Sequence, residues 1–363
     1  MIYALLSRLF PQRPAPRTPP ARIVLILPCC IGDVVMATAA LMALRRAYPH
    51  AHITWAVGSW SRRAIENHPM LDAIIETGTG ANPAAGLRGV WTFGRRLRGF
   101  DLAVSLVRSP WMSMAVWLSG VPYRAGIDSA GRGFGYNLRA RLDPEERLHE
   151  TDIYLAVVRA LGIDTTGCAP SVPVTASVDD LLAVRGIAHD FVVINPAGGS
   201  NPGMVMDSKR WPAAHFAALI QRIQAAGGVQ VVLVAGPSDQ PIVEAVQAGL
   251  HTPVPAFVGE LSFQQVAALA AQARAYIGND TGLTHLAAAA GARTVMILGP
   301  SDPARYAPYS LDSDRVLVLW KAAALRAGGV AAGPPVDWDW KRDGIGVEAA
   351  AGAILPFIQN HQG

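Results

Sequence analysis

Asp280, Thr281 and Gly282 form a polar turn between a short apolar strand that ends at Gly278 and an alanine-rich helix. With the strand that follows the helix, these segments predict a βαβ unit. The first N–H groups of such a helix lack intrahelical partners and, with the helix dipole, favour a bound phosphate. Gly282 would let that phosphate approach the backbone. The alternative is that Asp280 and Thr281 only cap the helix.

A glycine loop follows another predicted strand, at residues 191–195, and contains Gly198, Gly199 and Ser200. Lys209 comes shortly afterwards, before a predicted helix over residues 213–226. Backbone N–H groups and one ammonium group in this arrangement can hold a diphosphate. The loop is not a P-loop, because the GxxxxGK[ST] pattern is absent.

Two further aspartates also follow predicted strands. Asp33, preceded by Gly32, comes after the apolar run 22–28 and before a helical pattern over 34–47. Asp239 comes after the run 229–236, where its carboxylate can accept a hydrogen bond from a ribose hydroxyl. Ligands of open α/β sheets bind at the carboxyl ends of strands, so both are candidate site residues. The alternative for each is an ordinary capping aspartate, with Asp33 at the N-cap.

The alternation of apolar strands and helices predicts an α/β protein with two doubly wound halves and a cleft between them. We predict a flexible basic tail over residues 1–20, an N-terminal domain over 21–175 and a second domain over 176–335. The remaining residues, 336–363, are predicted to form a helix that packs back on the N-terminal domain. Residues 128–141 contain three glycines and three arginines and are predicted to be a mobile basic loop. Contact with an anionic acceptor and plain solvated surface are equal alternatives for this loop.

Composition excludes several classes of protein. The chain has 363 residues, 51% of them apolar, a net charge of +4 and 16% charged residues, which does not describe a nucleic-acid coat. Three cysteines without CxxC spacing argue against a disulfide framework and a cysteine-based metal site, and favour a reducing cytoplasm. No run of about 18 apolar residues predicts a membrane span. The basic tail is a candidate for contact with an anionic membrane surface.

Several motifs, taken in order, resemble glycosyltransferase family 9, the heptosyltransferase family of lipopolysaccharide core assembly. They are Ile31-Gly-Asp-Val-Val35 with Ala47-Tyr-Pro49, His149-Glu150, Gly198-Gly-Ser200 with Lys209-Arg-Trp-Pro212, Asn279-Asp-Thr-Gly282 with His285, and Gly299-Pro-Ser-Asp-Pro303. The resemblance covers residues 22–310. It implies a GT-B fold, with two Rossmann-like domains facing across a cleft, and inverting transfer of a heptose from ADP-heptose to a lipopolysaccharide core or related glycan.

The resemblance also implies roles for the candidate residues. Asp33 would be the general base, and Lys209, Ser200 and the backbone of Thr281 and Gly282 would stabilise the leaving diphosphate. Asp280 would accept from sugar hydroxyls, Asp239 would face the ribose, and His285 would orient its turn. On the acceptor side the candidates are Gly32, Arg124 and Arg132. The nucleotide sugar is then a substrate, no cofactor or metal is expected, and the acceptor would be lipid-linked or a polysaccharide, with peripheral contact at the inner membrane.

Two departures from the family pattern concern specificity. Pro28-Cys29-Cys30 stands where relatives more often have small or basic residues, which affects the acceptor side. The stretch from Ser200 to Lys209 is longer than in many relatives, which affects the donor side. The pairs Asp312/Asp314 and Asp337/Asp339 have the DxD spacing of metal-dependent sugar transferases, but they lie outside the glycine turns and are interpreted as coincidental.

Other functions remain open at this point. One alternative is a family member that transfers a different nucleotide-activated sugar to another polysaccharide or to a protein. The second is a protein that binds a nucleotide sugar without catalysis. The presence of Asp33, Lys209 and Asp280 speaks against the second. The cysteine spacing of an iron-binding element is missing, and no GxGxxG follows the first strand, which disfavours a nucleotide-dependent dehydrogenase.

Overall fold

The computed structural model describes residues 10–143, 146–188, 190–201, 204–321 and 338–360. The chain divides into two compact units, Met1–Ser171 and Val172–Gly363. The division falls after residue 171, whereas the sequence predicted one after residue 175. Each unit has its own parallel sheet and its own buried core.

The first unit is built on a six-stranded parallel sheet. Its strands are β1 (Arg22–Ile26), β2 (His52–Val57), β3 (Ala73–Glu76), β4 (Leu102–Ser105), β5 (Tyr123–Ser129) and β6 (Leu138–Leu142). Their order across the sheet is β3-β2-β1-β4-β5-β6. The central strands β1 and β4 are almost entirely apolar because helices cover both faces of a parallel sheet.

Within the part of the first unit that the structure describes there are six α-helices: α1 (Ile31–Met36), α2 (Thr38–Ala47), α3 (Ser59–Arg62), α4 (Gly86–Arg96), α5 (Pro110–Leu118) and α6 (Glu150–Arg159). The helix predicted over residues 34–47 is thus two helices that meet at Ala37. The opening of a helix at His149-Glu150 is confirmed, since the His149 side chain accepts a hydrogen bond from the Thr151 N–H at 3.1 Å.

The segment 128–141 is not the mobile basic loop that its glycines and arginines suggested. Its two ends belong to the paired strands β5 and β6. Arg139 is 8% exposed, and its guanidinium donates to the carbonyl oxygens of Tyr136, Phe134 and Phe10. Residues 1–9 of the predicted tail lie outside the described residues. At residue 10 the chain contacts this region, because the Phe10 ring packs edge-on against Trp117 with centroids 5.2 Å apart.

The second unit repeats this architecture. Its main strands are β7 (Phe191–Asn195), β10 (Gln230–Ala235), β11 (Ala256–Val258), β12 (Ala275–Asn279), β13 (Thr294–Ile297) and β14 (Val316–Leu319), in the order β11-β10-β7-β12-β13-β14. A small antiparallel pair, β8 (Ser200–Asn201) and β9 (Met204–Val205), interrupts the predicted glycine loop. Both sheets therefore have the strand order of a Rossmann-like fold.

The described residues of the second unit form seven α-helices: α7 (Asp179–Val184), α8 (Ala213–Ala226), α9 (Gln240–Ala248), α10 (Phe263–Gln272), α11 (Gly282–Ala289), α12 (Pro303–Tyr306) and α13 (Val347–Gln359). The last of them differs from the prediction that placed the chain end on the first domain. Ala350, Ala351, Ile354 and Ile358 of α13 are buried in the core that the second sheet shares with α8. The apolar stripe of the helix covers a sheet face of its own unit, which explains the difference.

Two findings bear on the predicted environment of the protein. Cys29 and Cys30 are joined by a disulfide, which closes no loop between distant segments and so builds no framework. Cys168 is buried and unbonded. Among the described residues, no helix is long and apolar enough to cross a membrane.

Candidate functional site

The candidate donor residues of the second unit lie at the carboxyl ends of adjacent strands. The glycine loop follows β7, and the turn with Asp280 follows β12, which pairs directly with β7. The strand order reverses between these two strands, and open α/β sheets bind ligands at such a switch point. The fold therefore brings together the two segments that the sequence singled out separately.

The glycine loop lies directly against the turn at Thr281. A Cβ atom added at Gly198 would be 1.9 Å from the Thr281 Cγ2 atom, and Gly198 has a φ of +110°. Gly199 has a φ of +74°, and an added Cβ would be 2.5 Å from the Met206 carbonyl oxygen. Only glycine satisfies both the backbone conformation and the space at these two positions. The Nε of Arg210 donates to the Gly198 carbonyl and so fixes the loop.

Asn279 holds the loops at the ends of β7 and β12 together, a role that the sequence did not assign. Its side chain is completely buried, and its Nδ2 donates to the carbonyl oxygens of Pro196 and Ala197 at 3.0 and 3.1 Å. Its Oδ1 accepts from the Trp211 N–H at 2.9 Å. One signal was available in the sequence. Asn279 stands immediately before Asp280 at the end of a buried strand, where a polar amide must find hydrogen-bond partners.

Lys209 and Asp280 form a buried ion pair in the second unit. Lys209 Nζ is 2.6 Å from Asp280 Oδ2, and the two side chains are 12% and 5% exposed. The Ser301 hydroxyl donates to the same carboxylate oxygen at 2.5 Å, and His285 Nε2 lies 4.0 Å from Asp280 Oδ1. The Lys209 ammonium also lies 5.5 Å from the centre of the Tyr306 ring. This pairing was not predicted, because sequence alone assigned the two residues to different parts of the donor.

The charge state of Asp280 follows from these contacts. Burial by itself raises the pKa of a carboxyl group, but the Lys209 ammonium, His285 and the Ser301 hydroxyl outweigh it and hold the pKa of Asp280 below its ordinary value. Asp280 is therefore an anion near neutral pH. The pair can accept hydrogen bonds at the carboxylate and donate them at the ammonium group.

The capping alternative fails for Asp280 and Thr281. Thr281 occupies the N-cap of α11 but makes no side-chain capping bond, and the Asp280 carboxylate is bonded to Lys209 and Ser301 instead. Helix α11 begins at Gly282, so the first N–H groups of the helix lie in the turn. This leaves the turn suited to an anion. Ser200 begins β8, beside the glycines.

Asp239 lies at the carboxyl end of β10, next to β7, as predicted. Its Oδ2 accepts from the Gly236 N–H at 3.2 Å, so it has a local capping role. Burial raises the pKa of Asp239 above its ordinary value. The capping alternative is thus realised here, and the ribose contact stays a prediction.

Asp33 of the first unit lies in the first turn of α1 and is not the N-cap, which is Cys30. The prediction of a capping position is therefore wrong. The Tyr154 hydroxyl donates to Asp33 Oδ1 at 2.7 Å. Asp33 follows β1 at the point where strand order reverses towards β4, which is the same switch-point position that the donor residues occupy in the second unit.

A second ion pair, Arg108 with Glu150, lies near Tyr154 in the first unit. Arg108 Nη2 is 2.7 Å from Glu150 Oε2, and the Glu150 side chain is 1% exposed. Tyr154 lies four residues after Glu150, on the same face of α6. Neither Arg108 nor Tyr154 was predicted from the sequence. Arg108 follows the largely apolar run 102–107, which was a usable signal, but nothing in the sequence places Tyr154 near Asp33.

The remaining acceptor-side candidates are a glycine in α1 and two arginines that bind neighbouring backbone or side-chain oxygens. Gly32 lies in α1 beside Asp33. The Arg124 guanidinium donates to the carbonyl oxygens of Gly135 and Val121, and that of Arg132 donates to Ser129. Both arginines thus stabilise the segment around β5 in this structure, and their contact with an acceptor stays a prediction.

No group of three or more potential metal-ligating side chains occurs within the described ranges. Asp312 caps a short turn by accepting from the Asp314 N–H at 3.0 Å, which explains one of the two DxD patterns. Asp339 similarly accepts from the N–H groups of Lys341 and Arg342. Its companion in the other pattern, Asp337, lies outside the described residues.

Comparison with known proteins agrees with this architecture. The family model of glycosyltransferase family 9 (heptosyltransferase) matches residues 90–327. Lipopolysaccharide heptosyltransferase 2 of Escherichia coli K12 is 27% identical over 324 residues, which cover 86% of this chain and 92% of that protein. A family 9 glycosyltransferase of Veillonella parvula superposes with a TM-score of 0.76 at 22% identity, over 95% of this chain and 99% of the other.

The heptosyltransferase WaaC of E. coli, solved with ADP, superposes with a TM-score of 0.67 at 18% identity, over 93% of this chain and 99% of the other. These likenesses confirm the predicted GT-B fold with two Rossmann-like domains. The chain therefore belongs to glycosyltransferase family 9, the heptosyltransferase family, and is a glycosyltransferase.

Proposed function

We propose that this enzyme transfers a heptose from ADP-heptose to an acceptor of the lipopolysaccharide core, with inversion at the anomeric carbon. The observation that carries the proposal is the Lys209–Asp280 pair between the glycine loop and the start of α11. An ammonium group, a carboxylate and unpaired helix N–H groups at one switch point match a ligand with both a diphosphate and sugar hydroxyls. The relatives named above, with ADP bound in one of them, support the nucleotide.

The second unit supplies the leaving-group side of the reaction. Lys209 and the N–H groups of Thr281 and Gly282 donate to the diphosphate, whose negative charge grows as the bond to the anomeric carbon breaks. Asp280 accepts from sugar hydroxyls and keeps Lys209 in place before the donor arrives. Ser200 adds a donor from the glycine loop, Asp239 faces the ribose, and His285 orients the turn. No metal is required in this scheme.

The first unit supplies the base. Asp33 takes the proton of the acceptor hydroxyl, while that oxygen forms a bond to the anomeric carbon from the face opposite the diphosphate. The bond between the anomeric carbon and the diphosphate oxygen breaks, and ADP leaves with its electron pair. The products are a glycoside with inverted configuration, ADP and a proton that passes from Asp33 to water.

Nucleotide preference tests the donor. Titration with ADP, UDP and GDP, followed by thermal shift and calorimetry, is expected to show tight binding of ADP only. Preferential binding of UDP or GDP would show that the donor carries a different nucleotide, but the protein would still be a glycosyltransferase. Binding of none of the three would contradict a nucleotide-sugar donor and with it the proposed transfer.

We also propose that the enzyme works in the cytoplasm at the inner membrane. The support is the acceptor class, because the lipopolysaccharide core grows on a lipid. A different polysaccharide or a protein acceptor is the alternative. Assaying transfer to lipid-linked core acceptors against soluble glycans separates them, since a preference for a soluble glycan would contradict the proposal.

A further inference from the structure

Helices α4 and α5 expose an unusual set of side chains on the surface of the first unit. Neither helix contains an aspartate or glutamate. Five large apolar residues on them are exposed: Leu87 75%, Trp91 56%, Trp111 40%, Trp117 41% and Leu118 46%. Of these, Trp117 already packs against Phe10. A contiguous group of exposed apolar side chains on a protein surface marks an interaction site more often than isolated ones do.

Four of these residues, all except Trp117, lie along the line where the two helices meet. A Cβ atom added at Gly94 would be 2.8 Å from the Ala115 carbonyl oxygen, so the backbones are in close contact there. Leu87 and Trp91 precede Gly94 by two turns and one turn on the same stripe of α4. Trp111 and Leu118 flank Ala115 in the same way on α5. We call Leu87, Trp91, Trp111 and Leu118 the seam surface.

Basic residues border the seam surface. Arg88, Arg95 and Arg96 of α4 are exposed, as is Arg98 just after it. The Arg95 guanidinium lies 4.6 Å from the centre of the Trp91 ring, so the cation and the aromatic ring are presented together. An apolar strip with arginines beside it and no acidic residue in either helix is the pattern of a surface that binds an anionic bilayer.

We propose that the seam surface docks the first unit on an anionic phospholipid bilayer. The indole rings of Trp91 and Trp111 enter the headgroup region, where an amphipathic ring is most stable, and the arginines contact lipid phosphates. This differs from the predicted membrane contact through the basic tail, because it uses helices of the folded unit. It does not depend on the identity of the sugar or the acceptor.

Flotation of the full chain with vesicles tests the proposal. The protein should float with vesicles of phosphatidylcholine and phosphatidylglycerol and not with phosphatidylcholine alone, and added salt should weaken the binding. The double variant Arg88→Gln/Arg95→Gln should partition onto the anionic vesicles roughly tenfold less than the wild type, since each arginine near an anionic surface contributes to the binding free energy. Leu87→Ser/Trp91→Ser should reduce partitioning similarly. The exposed residues Arg63 and Leu311 give matched controls, Arg63→Gln and Leu311→Ser, which should bind like the wild type.

Three outcomes would overturn the proposal. The wild type would fail to float with either vesicle, the seam variants would float as well as the wild type, or the controls would lose binding as much as the seam variants. A dimer that the seam variants dissociate, without vesicle binding, would assign the surface to a second copy of the chain instead. Unchanged melting temperatures show that the variants remain folded.

A second observation concerns the surroundings of Asp33. Tyr154 is 1% exposed, and its hydroxyl donates to Asp33 Oδ1 at 2.7 Å. Burial, with the charges of Asp33 and Glu150, raises the pKa of Tyr154 well above its ordinary value, while Arg108 opposes this. The phenol therefore stays a neutral donor throughout the pH range in which enzymes work.

We infer that Tyr154 is a positioning residue that orients the Asp33 carboxylate and sets the pH at which it becomes an effective base. This inference rests on the proposed role of Asp33. A hydrogen bond donated to a carboxylate favours its charged form, so loss of the phenol hydroxyl makes protonation of Asp33 easier. The Arg108–Glu150 pair shares the face of α6 from which Tyr154 projects and is kept intact in the test.

Tyr154→Phe should lower kcat roughly tenfold, because a hydrogen bond to a charged group is lost, and should leave the KM for the donor unchanged. The acidic limb of the pH profile should move to higher pH. Tyr136→Phe is the matched control, since Tyr136 is equally buried and donates to Ser105 at 2.8 Å. It should lose similar stability without moving the limb.

The protonation of Asp33 can also be measured directly, without an activity assay. The carbon-13 signal of the Asp33 carboxyl, assigned by its loss in Asp33→Asn, should titrate at higher pH in Tyr154→Phe than in the wild type. An unmoved titration would overturn the inference. If Asp33→Asn abolishes transfer and the titration is unmoved, the proposed base stands and only the role of Tyr154 fails.

Discussion

Replacing Asp33 by asparagine should reduce the rate of sugar transfer roughly 10²- to 10⁴-fold, which is the usual contribution of a general base. Asparagine is nearly isosteric and retains an oxygen that can accept the Tyr154 hydrogen bond found at Asp33 Oδ1. The substitution therefore removes the proton acceptor with little disturbance of packing. Single-turnover assays with ADP-heptose measure the effect on chemistry.

Donor binding provides the control for this variant. The Lys209–Asp280 pair belongs to the second unit, so the affinity for ADP measured by calorimetry should be unchanged in Asp33→Asn. Turnover retained at the wild-type level would show that the carboxylate of Asp33 only stabilises the first turn of α1. Loss of ADP binding would instead contradict the assignment of Asp33 to the acceptor side.

Replacing Lys209 by methionine should have two separate effects. The affinity for ADP should fall roughly ten- to hundredfold, because a charge-assisted hydrogen bond to phosphate is worth about 1.5–3 kcal/mol. The free energy of unfolding should also fall by about 3 kcal/mol, since Asp280 loses the partner of a buried ion pair. Denaturant unfolding at neutral pH measures the second effect.

The double variant Lys209→Met/Asp280→Asn separates these two roles. Neutralising the stranded carboxylate should restore much of the free energy of unfolding, but the affinity for ADP should stay low. ADP carries no heptose, so the sugar contacts proposed for Asp280 do not enter this comparison. Recovery of ADP affinity in the double variant would show that Lys209 acts only through Asp280 and does not touch the phosphates.

The stability contribution of the pair should also depend on pH. The pKa of Asp280 is lowered in the folded protein from an ordinary value of 3.8, so the folded state holds the anionic form more strongly than the unfolded chain does. The contribution is complete above that ordinary value and is lost as the pH falls through the lowered pKa. The difference in stability between wild type and Lys209→Met should therefore shrink in acid.

The strand and helix pattern was largely predictable because both sheets are parallel. Buried parallel strands are continuous apolar runs, and each candidate residue was found by its place after such a run. The same reasoning located α8 at residues 213–226, as observed. It misjudged the segment 128–141, because the buried Arg139 is stabilised by carbonyl oxygens that the sequence does not display.

The individual candidates were easier to find than their contacts. Gly198, Lys209 and Asp280 were each selected by type and position, yet nothing in a linear sequence indicates that Lys209 lies 2.6 Å from Asp280. The contact of Tyr154 with Asp33 spans 121 positions of sequence and was not predictable for the same reason. Long-range side-chain pairing depends on how the strands are ordered, which local patterns do not encode.

Each unit closes its own hydrophobic interior and carries its own loops at the ends of its strands. Under the proposed function, a loop change after β1 or β4 should alter acceptor recognition without disturbing the packing that supports the proposed nucleotide loops after β7 and β12. Acceptor specificity could then evolve while the proposed donor site is inherited intact. A hybrid chain with the second unit of this protein should keep its nucleotide preference.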